Sequence, residues 1–321
     1  MSALYLVGVV GARGHTGREL LRLIARHPDL ALAYAVSREF AGKPVRELAP
    51  EITDDIKFEE LAPAEAAERK ADVVVLALPD GVGGPYVDAI EAQAPHRVIV
   101  DLSADKRFDD TWVYGLPERN RKNIADAKRI ANPGCYATAM QLAVAPLLDL
   151  VNAPISVFGV SGYSGAGTKP SPRNDPAVLA DNLVPYKMTD HNHEREATRH
   201  LGKAVRFTPS VHPAFRGLVT TVHAPIDQSL SDANLKERFD KAYGDEPLVQ
   251  VQDEAPALRD GAGLEGVLIG GVTAGADGAS AIVVAAEDNL LKGAAVQAIQ
   301  NINLALGLKE TAGLSVTAPQ R

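Results

Sequence analysis

A continuous apolar run, Tyr5 to Val10, leads directly into a glycine-rich turn and then into a segment with helical spacing, Thr16 to Arg26. In the turn the glycines follow a G-x-x-G-x-x-G spacing. A strand, such a turn and a helix are typical of a Rossmann-type dinucleotide site, where glycine lets the backbone approach a pyrophosphate and the helix N-terminus supplies N–H donors. A plain tight turn is the alternative. The residues predicted to contact the cofactor are Gly11, Arg13, Gly14, His15, Thr16 and Gly17.

Further short apolar runs alternate with helical segments through the first part of the chain, at Leu30 to Val36, Val73 to Leu78 and Val98 to Val100. This alternation predicts an α/β fold with a Rossmann-type, doubly wound parallel sheet. After Cys135 the strand-like stretches are longer and fewer helices separate them, which indicates a second, α+β domain with a mixed or antiparallel sheet. We predict domain bounds of 1–134 plus 289–321, and 135–288.

The end of the second predicted strand bears on the choice between NAD and NADP. A carboxylate there suits the ribose 2′-hydroxyl of NAD, whereas an arginine suits the 2′-phosphate of NADP. Here Ser37 and Arg38 follow the strand, with Glu39 one step beyond. The pattern favours NADP bound by Ser37 and Arg38, and a solvated loop arginine is the alternative.

The chain's single cysteine lies where a turn enters a helix, in the sequence Asn132-Pro133-Gly134-Cys135. Proline and glycine both interrupt a preceding helix, so Cys135 is predicted at a helix N-terminus. The partial positive charge there favours the thiolate and makes Cys135 a candidate nucleophile. An inert, buried cysteine is the alternative.

Charge and composition exclude several classes of protein. The 321 residues carry a formal net charge of -8, which argues against a general nucleic-acid binder. No apolar run approaches the length of a membrane span. One cysteine permits neither an intrachain disulfide nor a cysteine-rich zinc site. A cytoplasmic enzyme acting on a small molecule is the natural interpretation.

Several motifs, in order and over nearly the whole chain, resemble one known family. They include GARGHTGRELLRLIARHP, LALPDG, DLSADKRF, ANPGCYATA, SGYSGAGTK, FTPSVHPAFRG and DNLLKGAAVQAIQNIN. The chain resembles the N-acetyl-gamma-glutamyl-phosphate reductases, in the aspartate-semialdehyde-dehydrogenase-like group. That resemblance implies an oxidoreductase of arginine biosynthesis that reduces N-acetyl-L-glutamyl 5-phosphate with NADPH to the 5-semialdehyde and phosphate. The same chemistry on a related or carrier-linked acyl phosphate stays open, as does a non-catalytic NADP-binding regulator.

The resemblance also assigns catalytic roles. Cys135 would attack the acyl phosphate and carry a thioester. A histidine would serve as acid and base. The family segment H-R-H-x-P-E-I corresponds to the sequence from His191 to Ala197, with asparagine and arginine in place of its arginine and proline. We predict His193 as the acid/base residue and place His191 in the site, because residues two apart cannot share a helix face and Glu196 could orient His193. A metal site and surface histidines are the alternatives.

Other residues take roles from the same resemblance. Substrate contacts are predicted for Arg107, Arg216 and Asn132, the arginines as captors of phosphate or carboxylate. Cofactor contacts are predicted for Pro79, Ser164, Gly165 and Asn289, and no metal is expected. A plain salt bridge is the alternative for either arginine. We expect a homodimer or homotetramer.

Overall fold

The computed structural model describes residues 4–316, which divide into two compact units. The first comprises residues 4–133 and 294–315, and the second comprises residues 134–293 together with Val316. The outermost parts of the predicted first domain, residues 1–3 and 317–321, lie outside the described residues. No helix within residues 4–316 is long and apolar enough to cross a bilayer.

The first unit contains a seven-stranded sheet in which every pairing is parallel, in the order β3-β2-β1-β4-β5-β7-β6. This confirms the predicted doubly wound Rossmann-type sheet. Its strands are β1 Tyr5–Val10, β2 Leu30–Val36, β3 Phe58–Glu59, β4 Val73–Leu76, β5 Val98–Asp101, β6 Val113–Tyr114 and β7 Arg129–Ala131. The strand order reverses between β1 and β4, and ligands of such sheets bind beyond the carboxyl ends of the strands at that point.

Helices join these strands and bury the apolar residues of the central ones. They are α1 His15–Ala25, α2 Pro63–Glu68, α3 Gly84–Gln93, α4 Pro117–Ile124 and, late in the chain, α10 Val296–Ala305. All residues of β4 and β5 are buried, as expected for parallel strands covered on both faces. Because α10 contacts α1, α4 and β5, the last helix completes a core begun by the first part of the chain.

The second unit contains a mixed seven-stranded sheet, in the order β12-β13-β14-β11-β8-β10-β9. Most neighbours are antiparallel, but β10 runs parallel to β8 and β12 parallel to β13. The strands are β8 Ile155–Gly162, β9 Val184–Pro185, β10 Val205–His212, β11 Leu218–Pro225, β12 Val249–Val251, β13 Val267–Ala274 and β14 Ser280–Glu287. The helices are α5 Cys135–Val144, α6 Pro176–Leu179, α7 Asn192–Leu201, α8 Asp232–Tyr243 and α9 Leu258–Gly261.

Two helices have irregular ends. The helix α5 begins at Cys135, as predicted, and gives way after Val144 to a 3-10 turn containing Pro146, which has no N–H to donate. The last helix, α10, is preceded by a π-helical turn, Leu291–Ala295. Asp288 stabilises the start of this turn, because its Oδ1 accepts hydrogen bonds from the N–H groups of Leu290 and Leu291, at 2.8 and 3.2 Å.

Candidate functional site

The β1–α1 turn of the first unit has the backbone form that a bound pyrophosphate needs. Gly11 has a φ of +85°, and a side chain there would collide with the carbonyl of Ala77. A Cβ on Gly17 would lie 2.7 Å from backbone atoms of Ala12, so α1 packs on the turn only with glycine at this position. Gly14 is the N-cap of α1 and offers no side chain to the first-turn N–H groups, which are the groups that bind an anion at a helix start. These residues fit a dinucleotide.

Three residues predicted to contact the cofactor lie at the carboxyl ends of the strands beside that turn. Ser37 follows β2, is buried, and accepts a hydrogen bond at Oγ from the N–H of Phe40 at 3.3 Å. Arg38 is exposed. Pro79 is exposed three residues after β4. All three therefore belong to the edge of the sheet at which the strand order reverses.

In the second unit, Cys135 is the first residue of α5, and both of its sequence neighbours contact α7. The N–H of Gly134, the N-cap, donates to Oε1 of the fully buried Glu196 at 2.9 Å. The ring of Tyr136 lies 5.9 Å from the ring of His193. The thiol thus lies at the junction of α5 with the start of α7, and the expected helix N-terminus is observed.

The two candidate histidines differ in their structural roles. His191 is the N-cap of α7, and its Nδ1 accepts a hydrogen bond from the N–H of His193 at 3.1 Å. Because His191 lies outside the helix, the rule that residues two apart occupy different faces does not apply, and the ring centroids are 4.9 Å apart. Burial, assisted by the positive charges of Lys187 and Arg173, lowers the pKa of His191 to about 4. His191 is therefore neutral near pH 7 and able to accept this bond.

Tyr186 also belongs to this cluster, although nothing in the sequence pointed to it. Its ring lies 5.6 Å from that of His191, and the guanidinium of Arg173 lies 4.9 Å from its centroid. Burial raises the pKa of Tyr186, and negative charge on Cys135 is the next largest cause. The hydroxyl of Tyr186 therefore stays protonated and can donate a hydrogen bond.

Three predicted cofactor residues of the second unit contact one another. Asn289 donates from Nδ2 to Oγ of Ser164 at 2.9 Å, and its Oδ1 accepts from the N–H of Gly217 at 3.0 Å. A Cβ on Gly165 would lie 3.8 Å from the same Nδ2. Asn289 therefore fastens the SGYSGAG loop to the start of β11.

The predicted substrate residues are engaged within the protein. Arg216 forms an ion pair with the buried Asp288, with Nε 3.3 Å from Oδ2. Arg107 is buried in the first unit, where it donates from Nε to the carbonyl of Asn132 at 2.9 Å and from Nη2 to that of Leu102 at 2.7 Å. The side chain of Asn132 accepts from Nδ2 of Asn301 at 3.0 Å. Direct substrate contacts by these residues stay predictions.

Gly293, to which the sequence analysis gave no role, packs directly against Cys135. A Cβ on Gly293 would lie 2.6 Å from Cβ of Cys135 and 2.8 Å from Oε1 of the fully buried Glu287. The absence of a side chain at Gly293 therefore lets the π-helical turn pack on the first residue of α5. Among residues 4–316, no group of three or more His, Cys, Asp and Glu side chains is arranged to hold a metal ion.

Two family models match the chain, one in each unit. Residues 6–127 match a semialdehyde dehydrogenase NAD binding domain, and residues 135–289 match a semialdehyde dehydrogenase dimerisation domain.

Several curated relatives match along almost their whole length. An N-acetyl-gamma-glutamyl-phosphate reductase of Xanthomonas euvesicatoria pv. vesicatoria is 53% identical over 95% of this chain and 96% of that protein. Reductases of the same name from Stenotrophomonas maltophilia and Xylella fastidiosa are 52% and 49% identical, over 95% and 96% of this chain and 96% and 94% of those proteins.

Solved structures share the fold at lower sequence identity. Aspartate semialdehyde dehydrogenase II of Vibrio cholerae, complexed with ASA, has a TM-score of 0.78 and 20% identity, covering 95% of this chain and 99% of that one. Aspartate semialdehyde dehydrogenase of Candida albicans with NADP has a TM-score of 0.75 and 18% identity, covering 97% and 99%. At these identities the likeness shows the fold alone.

Proposed function

Because the chain belongs to the N-acetyl-gamma-glutamyl-phosphate reductase family, we propose that it catalyses the reaction its relatives are named for. N-Acetyl-L-glutamyl 5-phosphate is reduced with NADPH to N-acetyl-L-glutamate 5-semialdehyde, with release of phosphate, as a step of arginine biosynthesis. The observation that carries the proposal is Cys135 at the start of α5, in a chain 53% identical to such a reductase over 95% of its length.

Cys135 is the nucleophile of this reaction. Its sulfur attacks the acyl phosphate carbon, the bond from that carbon to the phosphate oxygen breaks, and a thioester forms on the enzyme. NADPH supplies a hydride equivalent when bound. Reduction of the thioester carbon leaves an oxyanion that must take a proton. Collapse of the resulting thiohemiacetal returns the thiolate and the aldehyde and gives the hydroxyl proton back to the group that donated it. A proton donor beside Cys135 is therefore required.

His193 is the donor that the geometry favours. His191 uses Nδ1 to cap α7 and has its pKa lowered to about 4, so near pH 7 it has no proton to spare as an imidazolium. His193 lies in the first turn of α7 against Tyr136, the residue that follows Cys135 in the sequence. Glu196 supports the same site through its hydrogen bond with Gly134, and orientation of the His193 ring by Glu196 stays a prediction.

We expect His193→Asn to lower kcat by about 10²–10⁴-fold, the contribution typical of a general acid. His191→Asn is the matched control, because an asparagine can still cap α7, and it should lose less than about tenfold. Measurement of kcat and kcat/KM against pH for both variants checks this assignment.

A kcat loss confined to His191→Asn would reverse the two roles. Losses below about tenfold in both variants would place the acid elsewhere, and His212, at the end of β10, would be the next residue to test.

The phosphate and carboxylate of the substrate are negatively charged groups that arginine side chains can bind. Arg216 supplies a guanidinium in the second unit, partly neutralised by Asp288, whose own pKa is raised by burial. Arg107 adds positive charge in the first unit, and through its bond to the carbonyl of Asn132 it also stabilises the segment that precedes Cys135.

Ser37 and Arg38 select NADP over NAD in this proposal. Arg38 is exposed and, within residues 4–316, makes no ion pair, so its guanidinium can bind a phosphate. A charge-assisted hydrogen bond contributes about 1.5–3 kcal/mol, so Arg38→Ala should weaken NADPH binding about tenfold or more while leaving NADH binding unchanged. Titration of the variant with each nucleotide checks this. An unchanged preference for NADPH would make Arg38 a surface residue only.

A second copy of the chain covers the open face of the mixed sheet in this proposal, in a homodimer or homotetramer. Side chains alternate between buried and exposed along β8 and β11, and Phe158 in the middle of β8 is 45% exposed. The match of residues 135–289 to a dimerisation domain supports this arrangement. Light scattering should give a mass of at least twice 33.9 kDa.

A cytoplasmic location is part of the same proposal, because a reducing compartment preserves the catalytic thiol.

The decisive assay runs the reaction in reverse. N-Acetylglutamate 5-semialdehyde, NADP and phosphate should yield NADPH, and aspartate semialdehyde in its place should yield far less. Equal or better turnover of aspartate semialdehyde would assign the chain to a different acyl phosphate. No turnover of either would favour a non-catalytic NADP-binding protein.

A further inference from the structure

An ion pair joins the glycine-rich turn after β1 to the loop after β2. Nη1 of Arg13 lies 3.1 Å from Oε2 of Glu39. The turn is fastened to the end of β2, because the N–H groups of Gly11 and Ala12 both donate to the carbonyl of Val36 at 3.1 Å. The backbones that carry the pair are thus fixed relative to each other, while the two side chains extend from them.

This ion pair is exposed, with 37% of the Arg13 side chain and 62% of the Glu39 side chain accessible to solvent. Exposed pairs add little to folding stability, so its partners can be exchanged without loss of the fold. A guanidinium has five N–H donors in a planar fork and binds a phosphate at least as well as a carboxylate. A dianionic phosphate that reaches Arg13 would therefore compete with the single carboxylate of Glu39.

The position of the ion pair indicates which ligand would compete with Glu39 for Arg13. Glu39 lies two residues beyond Ser37, where Rossmann-type sheets distinguish a ribose 2′-hydroxyl from a 2′-phosphate. A carboxylate at this place usually accepts hydrogen bonds from the ribose of NAD. In this chain the carboxylate is engaged by Arg13, which lies in the turn predicted to bind the pyrophosphate.

We infer that Arg13 and Glu39 form an exchangeable pair that discriminates between the two nucleotides, an inference that rests on the proposed use of NADP. When NADP binds, Arg13 transfers from Glu39 to the 2′-phosphate. When NAD is offered, Glu39 stays on Arg13 and is not available to the ribose hydroxyl. Arg13 thus favours NADP twice, as a phosphate ligand and as the group that occupies a carboxylate suited to NAD.

Binding of NADP and NAD to the full chain, measured by isothermal titration calorimetry without substrate, tests this inference. Arg13→Ala should weaken NADP binding about tenfold or more and strengthen NAD binding about twofold to threefold, because Glu39 is released. Glu39→Gln should strengthen NADP binding about threefold, because the competing carboxylate is gone. In the double variant the gain from Glu39→Gln should vanish.

Glu51→Gln is the matched control, because it removes the same charge from another exposed ion pair of the first unit, Arg22–Glu51. It should leave both affinities unchanged, and NAD binding by Arg13→Ala shows that this variant is folded. Equal losses of NADP and NAD affinity in Arg13→Ala would overturn the inference, as would an equal gain from Glu39→Gln with and without Arg13. Failure of the wild-type chain to bind NADP would overturn the proposed cofactor itself. An NADP affinity that is the same in wild type and Arg13→Ala would overturn only this inference.

Discussion

Cys135→Ser should lower kcat by several orders of magnitude while the fold and NADP binding persist. A hydroxyl at this position is a far weaker nucleophile than a thiolate, and no other cysteine in the chain can replace it. Steady-state assays in both directions check the loss. Calorimetry with NADP and a thermal unfolding curve establish that the variant is otherwise intact.

Cys135→Ala complements this experiment because it removes the thiol altogether. Its activity should be no higher than that of the serine variant. Near-normal turnover by Cys135→Ala would exclude a covalent thioester mechanism for this chain.

Gly293→Ala should lower kcat/KM about 100-fold without unfolding the protein. The added methyl group would lie 2.6 Å from Cβ and 3.1 Å from Cα of Cys135, and 2.8 Å from Oε1 of Glu287, so Cys135 must shift. A displacement of about 1 Å at a reacting atom can cost about 10²-fold in rate, whereas one methyl group of overpacking costs about 1–3 kcal/mol in stability. Kinetics, alkylation of the thiol by iodoacetamide and thermal unfolding separate the two effects.

Gly84→Ala provides the comparison, because it adds the same methyl group at the first residue of α3. Beyond its chain neighbours and its own helix, the added Cβ would have no atom within 4 Å. It should have wild-type activity. If Gly293→Ala also keeps kcat/KM within about threefold of wild type, the contact with Cys135 does not constrain the nucleophile.

The parts of the molecule that the sequence predicted are those with a local pattern. The bounds of β1 and β2 match the apolar runs because parallel strands buried on both faces consist of continuous apolar residues. The helix start at Cys135 was visible because proline and glycine mark it within three residues. Each of these features is decided by neighbours in the sequence.

The features that the sequence did not predict depend on contacts between distant segments. Gly293 is close to Cys135 only because a π-helical turn packs on the start of α5. No pattern in the sequence around Gly293 predicts this contact. Tyr186 joins His191 through the loop before α7, which has no periodic pattern. His191 and His193 are not both inside the helix, as the prediction from their spacing required, because His191 is the N-cap of α7.

The return of α10 to the first unit affects the order in which the chain can fold during synthesis. Gln297 and Asn301 of α10 are fully buried, and both donate hydrogen bonds to the carbonyl of Gly115. A ribosome must complete the whole second unit before it makes this helix, a delay of roughly 10–30 s at ordinary rates of elongation. During that interval the newly made first unit exposes the apolar surface that α10 later covers. The nascent chain is therefore a natural client for chaperones that bind exposed apolar segments, and the second unit can finish folding before the first.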